Sequence, residues 1–200
     1  MDLVLSASRD ATVRLWKLLS ENPPKYDCSI ISHGSAFINS IAYLPSTKDF
    51  PDGLVISGGK DTVIEVRQPG KPPEEDAEGL LLGHSHNVCA LDVSPAGDFI
   101  VSGSWDGSAR LWGFGKWECR ALLEGHEGSV WTVLAYDPKT IITGVNSTVP
   151  GAGLGISRLA DCMLHRVCGH ANKDLRFERE ILTGHTGQQG ARPGFMSRPG

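Results

Sequence analysis

The sequence predicts an all-β chain assembled from repeated antiparallel units, and three observations carry that expectation. Three segments superimpose: LVLSASRDATVRLW (3–16), GLVISGGKDTVIEV (53–66) and FIVSGSWDGSARLW (99–112). A second set, SHGSAFINSIAYLP, GHSHNVCALDVSP and GHEGSVWTVLAYDP, begins at Ser32, Gly83 and Gly125. Within the best copy the residues alternate, Phe99, Val101 and Gly103 on one face and Ile100, Ser102 and Ser104 on the other. That period of two belongs to strands.

The spacing sets the architecture. His33, His84 and His126 stand 51 and 42 residues apart, and the turn aspartates Asp10, Asp61 and Asp106 stand 51 and 45 apart. A period of about 40–45 residues with a Gly-His opening and an Asp turn is that of a WD40 β-propeller blade of four strands. At about 42 residues per blade, the chain holds about three and a half recognisable blades and reads as an incomplete, truncated propeller. An arc this short leaves an unpaired edge and an exposed inter-blade face at each end.

Each element then has a reason. In the most complete copy, His84, Ser102, Asp106 and Trp112 resemble the buried hydrogen-bond relay of the WD40 family, whose bonding the likeness implies here. The turn Asp accepts from the His, which links through the Ser hydroxyl to the indole N–H; each buried group left unpaired would cost about 1–3 kcal/mol. The 53–66 copy has Val66 in the place of the Trp, so its relay is expected to be a partner short. The first copy has no Gly-His opening upstream of it. STKDFPDG (46–53) reads as a polar loop between strands. QPGKPPEEDAEG (68–79) reads as a solvated surface loop, with an acidic binding motif as the alternative.

The pattern fails after TIITG (140–144). Residues 145–169 lack alternation and are expected to be an irregular insertion foreign to the fold, of the kind a retained intron leaves. ANKDLRF (171–177) looks like a degraded copy of WDGSARL, with Asn172 in the aspartate's place, and ILTGHTG (181–187) like a further Gly-His opening. The expected organisation is therefore repeats over 1–144, the insertion over 145–169, a repeat remnant over 170–187 and a disordered tail over 188–200.

Composition excludes several functions. Net charge is −4, from 23 acids against 19 bases, which lacks the basic footprint of a nucleic-acid binder. The 24 Gly and 12 Pro make 18% of the chain, below the roughly 25–30% of low-complexity sequences. No apolar run approaches the roughly 20 residues of a membrane helix, and Leu3 to Leu5 is too short for a signal peptide. Five widely spaced cysteines without a C-x-x-C pair fit a reducing compartment, cytoplasmic or nuclear. With no signal peptide, Asn146-Ser147-Thr148 is not expected to serve as a glycosylation sequon.

Catalytic and cofactor motifs are missing. GAGLG (151–155) lacks phosphate-loop spacing. His84 and His86 could form a metal pair, but the relay already claims His84, and Cys162, Cys168 and His170 are irregularly spaced. Cys89 and Cys119 read as small strand residues rather than nucleophiles. The expectation is a chain with no enzymatic activity, no cofactor and no metal.

A binding face is easier to argue. In a propeller, the residue before the turn Asp and those flanking the first buried position after the His point to one end of the ring. That register selects Arg9, Phe37, Asn39, Lys60, Asn87, Cys89, Trp105, Ser129 and Trp131. Phe37, Trp105 and Trp131 beside Arg9 and Lys60 have the composition of interface anchors. The alternatives are that Trp131 packs between blades and Trp105 shields the turn.

At these residues a family likeness enters. SRDATVRLW, the AFINSIAY and SGGKDTVI pair, GHSHNVCAL, SGSWDGSARLW and GSVWTV together resemble the N-terminal propeller of the phospholipase A2-activating protein family and its fungal ubiquitin-binding counterparts. The likeness covers about residues 3–144. It implies a ring of seven blades whose face binds ubiquitin or ubiquitinated proteins in ubiquitin-dependent degradation. In full-length relatives it implies a further ubiquitin-binding domain and a helical domain that docks on the hexameric AAA ATPase valosin-containing protein, for which this chain has no room. The alternative is a generic WD40 scaffold for another protein complex.

Overall fold

The computed structural model describes residues 3–146, 159–168 and 176–183, the last two stretches by their backbone. Every described element is a strand, and the strands form four sheets in chain order. The first has three strands, β1 (Leu3–Ala7), β2 (Thr12–Glu21) and β3 (Pro24–His33). The second holds β4 (Ile38–Leu44), β5 (Leu54–Gly59), β6 (Ile64–Arg67) and β7 (Gly79–Leu81). The third holds β8 (Val88–Val93), β9 (Phe99–Ser104), β10 (Ala109–Gly113) and β11 (Cys119–Leu123). The fourth holds β12 (Val130–Asp137), β13 (Thr140–Asn146), β14 (Leu159–Cys168) and β15 (Arg176–Thr183). All pairings are antiparallel between sequence neighbours, so each sheet is a meander.

One tail expectation needs correcting. Residues 159–168, expected to be irregular, form β14, which pairs with β13 on one side and β15 on the other. The free edge of β13 offers a row of backbone donors and acceptors, and a ladder pairs with them without needing side-chain alternation. Of the expected remnant at 170–187, residues 176–183 make β15. Residues 147–158, 169–175 and 184–200, including the expected tail, lie outside the described residues.

The core is divided among the sheet interfaces. Val13 and Ile31 of the first sheet meet Ile38 and Val55 of the second. Leu54, Ile56, Ile64 and Val66 meet Val88, Leu91, Ile100 and Trp112 of the third. Phe99, Val101, Ala109 and Leu111 then meet Val130, Val133 and Ile141 of the fourth. Successive residues of β9 thus face opposite neighbours, and all six are buried. Buried serines on such a strand must be satisfied within the blade, which is where the relay belongs.

Two glycines set the spacing between blades. A Cβ on Gly58 would stand 2.9 Å from Val88 Cγ1, and one on Gly103 would stand 2.7 Å from Val130 Cγ1. The two occupy the same place in successive repeats, so each lets the first strand of the following blade approach. The loop over 68–78 is tied down at the surface. Arg67 donates to the Glu75 carbonyl at 2.7 Å, Lys71 pairs with Glu78 at 2.6 Å, and Gly79 lies against the Trp117 ring. No helix among the described residues is long and apolar enough to cross a membrane.

Candidate functional site

The face of the arc is held by hairpin turns, between β1 and β2 in the first sheet, β5 and β6 in the second and β9 and β10 in the third. In the third sheet Asp106 caps that turn, accepting from the Ser108 N–H at 2.9 Å, the Ser108 hydroxyl at 2.6 Å and the Ser85 N–H at 3.1 Å. Its carboxylate also lies 2.7 Å from His84 Nδ1, while His84 Nε2 lies 2.7 Å from Ser102 Oγ. The Trp112 indole N–H donates to the same oxygen at 2.8 Å. The structure therefore brings His84, Ser102, Asp106 and Trp112 into one chain.

Electrostatics fixes the proton positions. Burial pushes Asp106 upward, but hydrogen bonds from Ser108 and His84 outweigh it and leave the carboxyl at about 2. Burial holds His84 below its ordinary value of 6.5 against the pull of Asp106. An ionised Asp106 and a neutral imidazole admit one satisfied arrangement. The indole donates to Ser102, the Ser102 hydroxyl donates to Nε2, and Nδ1–H donates to Asp106. A saturated relay with its imidazole neutral is scaffolding rather than an acid–base pair.

The other copies depart from it in instructive ways. In the first sheet the Trp16 indole donates to Ser6 at 2.9 Å, and Asp10 caps its turn through Thr12. In the fourth sheet His126 Nε2 lies 2.6 Å from Thr143 Oγ1. The second sheet corrects two sequence alignments. Val55 pairs with Arg67 as Ile100 pairs with Trp112, so Arg67, not Val66, stands in the place of the Trp. Val13 pairs with Ser32, and Ile64 with Leu81 three residues before His84; the same step from Ser32 reaches Ser35. Ser35, not His33, therefore holds the relay-histidine place, and its hydroxyl donates to Asp61 at 2.9 Å. His33 pairs with Thr12 at the end of β3 and is exposed.

These turns present the face. The Lys60 N–H donates to the Phe37 carbonyl at 2.8 Å and the Trp105 N–H to the Asn87 carbonyl at 3.0 Å, so each turn is tied to the mouth of an inner strand. Two clusters result. Phe37, 45% exposed, has the Arg9 guanidinium 5.8 Å and the Lys60 ammonium 5.5 Å from its ring centroid. Trp105 and Trp131, 38% and 44% exposed, have ring centroids 5.2 Å apart. His86 stacks on Trp105 at 5.4 Å, a member that the sequence reading considered only as a metal partner of His84. Its signal was its place immediately before Asn87. Both nitrogens of His84 are engaged in the relay, and His86 points to Trp105 instead.

The remaining face residues lie between and around the clusters. Asn39 donates to the Val88 carbonyl at 3.3 Å and Ser129 to the Trp105 carbonyl at 3.4 Å. Cys89 is half-buried, and burial raises its thiol to about 11, which keeps it protonated and weakly nucleophilic at neutral pH.

Residues 78–113, which run from β7 of the second sheet through β10 of the third and hold the complete relay, match the family model described as WD domain, G-beta repeat. The crystal structure of the WD40 beta propeller domain of Doa1 superimposes with a TM-score of 0.62 at 27% identity, covering 82% of this chain and 47% of that one. The fold is that of a WD40 propeller. Among curated proteins, Protein DOA1 of Saccharomyces cerevisiae is 35% identical over 128 residues, covering 64% of this chain and 16% of its own length. Phospholipase A-2-activating protein of Xenopus laevis is 34% identical over 129 residues, with 64% and 15% covered. Ubiquitin homeostasis protein lub1 of Schizosaccharomyces pombe is 33% identical over 116 residues, with 58% and 15% covered. The chain thus spans about one-sixth of the length of these relatives and about half of the Doa1 propeller. Residues 78–113 match a WD40 repeat, and the four sheets share one antiparallel meander.

Proposed function

We propose that this WD40 arc is a non-catalytic adaptor whose face binds ubiquitin or ubiquitin-bearing proteins. The carrying observation is that Phe37, Trp105 and Trp131, each more than a third exposed, are gathered at one end of the blades with two cations on Phe37. Rigid aromatics held by paired turns bury large area at little entropic cost, which is what an interface anchor needs. The name of lub1, ubiquitin homeostasis protein, supports ubiquitin as the ligand. A small apolar protein surface would seat on the Trp pair, with Arg9 and Lys60 orienting it and Asn39 and Asn87 at the rim. Contact with valosin-containing protein belongs in this proposal to longer relatives. The site of action is the cytosol or nucleus.

Ubiquitin titrated into the chain by calorimetry tests the reading. Trp105→Ala is expected to weaken binding at least about thirtyfold, the effect of a 2 kcal/mol anchor. Leu122→Ala, 43% exposed on the outermost strand of the third blade, is expected to leave binding unchanged. Equal affinities for the wild-type chain and Trp105→Ala would remove the Trp pair from the site. No binding by the wild type would favour a scaffold for some other complex.

A further inference from the structure

The second blade contains a half-open cavity at the place of the relay histidine. In the third blade the His84 ring bridges Asp106 and Ser102, 2.7 Å from each. In the second blade the same backbone places hold Asp61 and Ser57, but Ser35 stands where the histidine would, and its short side chain reaches Asp61 alone. A cavity of about 220 Å³ remains, lined by Ser35, Ser57, Asp61, Glu65, His33 and Gly59 among others. That is several times the ~30 Å³ share of a water molecule.

The groups around it keep open hydrogen-bonding capacity. Ser57 is 6% exposed, and among the described residues its hydroxyl has no hydrogen-bond partner. Its counterpart Ser102 has two. Asp61 keeps one side-chain donor, Ser35, because Val63 stands where Ser108 donates twice to Asp106. Glu65 is already engaged by Ser32 and, at 2.9 Å, by Arg67. The open valences are therefore one carboxylate and one hydroxyl, at the two strand and turn places that an imidazole ring bridges one blade away.

We propose that this cavity binds a planar ring carrying nitrogens on opposite sides, an imidazole, between Asp61 and Ser57. A ring N–H donates to Asp61, and the second nitrogen pairs with the Ser57 hydroxyl. The ring could arrive as a free small molecule or as a histidine side chain of a bound protein; the chemistry of the two is the same. His33 also lines the cavity but makes no hydrogen bond to Asp61 or Ser57.

The test is a titration of the ¹⁵N-labelled chain with imidazole, followed by amide NMR. Saturable shifts confined to residues around Ser35, Ser57 and Asp61 are expected in the millimolar range, the affinity class of a small fragment. Ser35→His places a covalent imidazole in the cavity and is expected to abolish them. Ser57→Ala leaves the cavity open but removes one anchor, and is expected to weaken binding about tenfold. 1-Methylimidazole, with one ring nitrogen blocked, is expected to bind more weakly than imidazole. N-acetyl-histidine amide separates the sources: binding by both probes admits a partner's histidine, and binding by imidazole alone confines the site to free small molecules. Absence of saturable shifts, shifts spread over the surface, or equal affinity in Ser35→His and Ser57→Ala would overturn the proposal.

Discussion

Replacing Ser102 with Ala tests the relay at its hub. The substitution removes one oxygen at a position with no solvent exposure and strands two polar atoms, Trp112 Nε1–H and His84 Nε2. Each unsatisfied buried group costs about 1–3 kcal/mol, and Trp112 is 1% exposed, so water does not replace the lost partner. The expected destabilisation is about 3 kcal/mol. Ser6→Ala in the first blade strands a single group, the indole of the half-buried Trp16, which can turn to water, and about 1 kcal/mol is expected. The assay is urea unfolding followed by circular dichroism, with Trp112→Phe completing a double-mutant cycle. Because Phe has no N–H to strand, the double variant should be less destabilised than the sum of the singles by about 1 kcal/mol. Equal losses for Ser102→Ala and Ser6→Ala, with additive singles, would refute the relay as a stabilising unit.

Three further outcomes follow from the turns, the blade spacing and the protonation of the relay. Thr62 and Ala11 hold φ of 69° and 65° at the turn place that Gly107 fills at 84°. Thr62→Gly is expected to stabilise the chain and Gly107→Ala to destabilise it, each by about 1 kcal/mol in thermal unfolding. Gly103→Ala puts a methyl 2.7 Å from Val130 and is expected to cost about 1–3 kcal/mol in urea unfolding, with a shift of the fourth blade's amide signals. Because His84 is held below 6.5, the unfolded chain takes up a proton that the folded chain refuses. Stability is therefore complete above 6.5 and falls as the pH drops below it, a slope that His84→Gln is expected to remove. Asp106 adds a second loss on acidification, between its ordinary 3.8 and about 2.

Strand existence and the turn aspartates were legible because each repeats with a period that hydrophobicity and turn chemistry both mark. Register was less legible. Matching His33 to His84 followed chemical identity, but the opening before Ile38 is one residue shorter than that before Val88, so Ser35 takes the place. Assigning Val66 to the Trp place was a one-residue slip, which transfers a side chain to the other face of a strand. Pairing of Val55 with Arg67 reveals it. β14 was invisible for a different reason: its ladder with β13 uses backbone groups, and its sequence carries no alternation. His86 was read for its metal-binding chemistry, while its ring serves as a packing partner of Trp105.

The proposed protein-binding face at one end of these blades rests on the Phe37 and Trp105–Trp131 clusters. Amide hydrogen exchange of the chain with and without saturating ubiquitin tests it most directly, because it reports every blade at once. Slowed exchange is expected at residues 37–39, 60, 86–89, 105 and 129–131, with the outer strand 119–123 unchanged. Protection confined to 119–123, or an exchange pattern that ubiquitin leaves untouched, would contradict it.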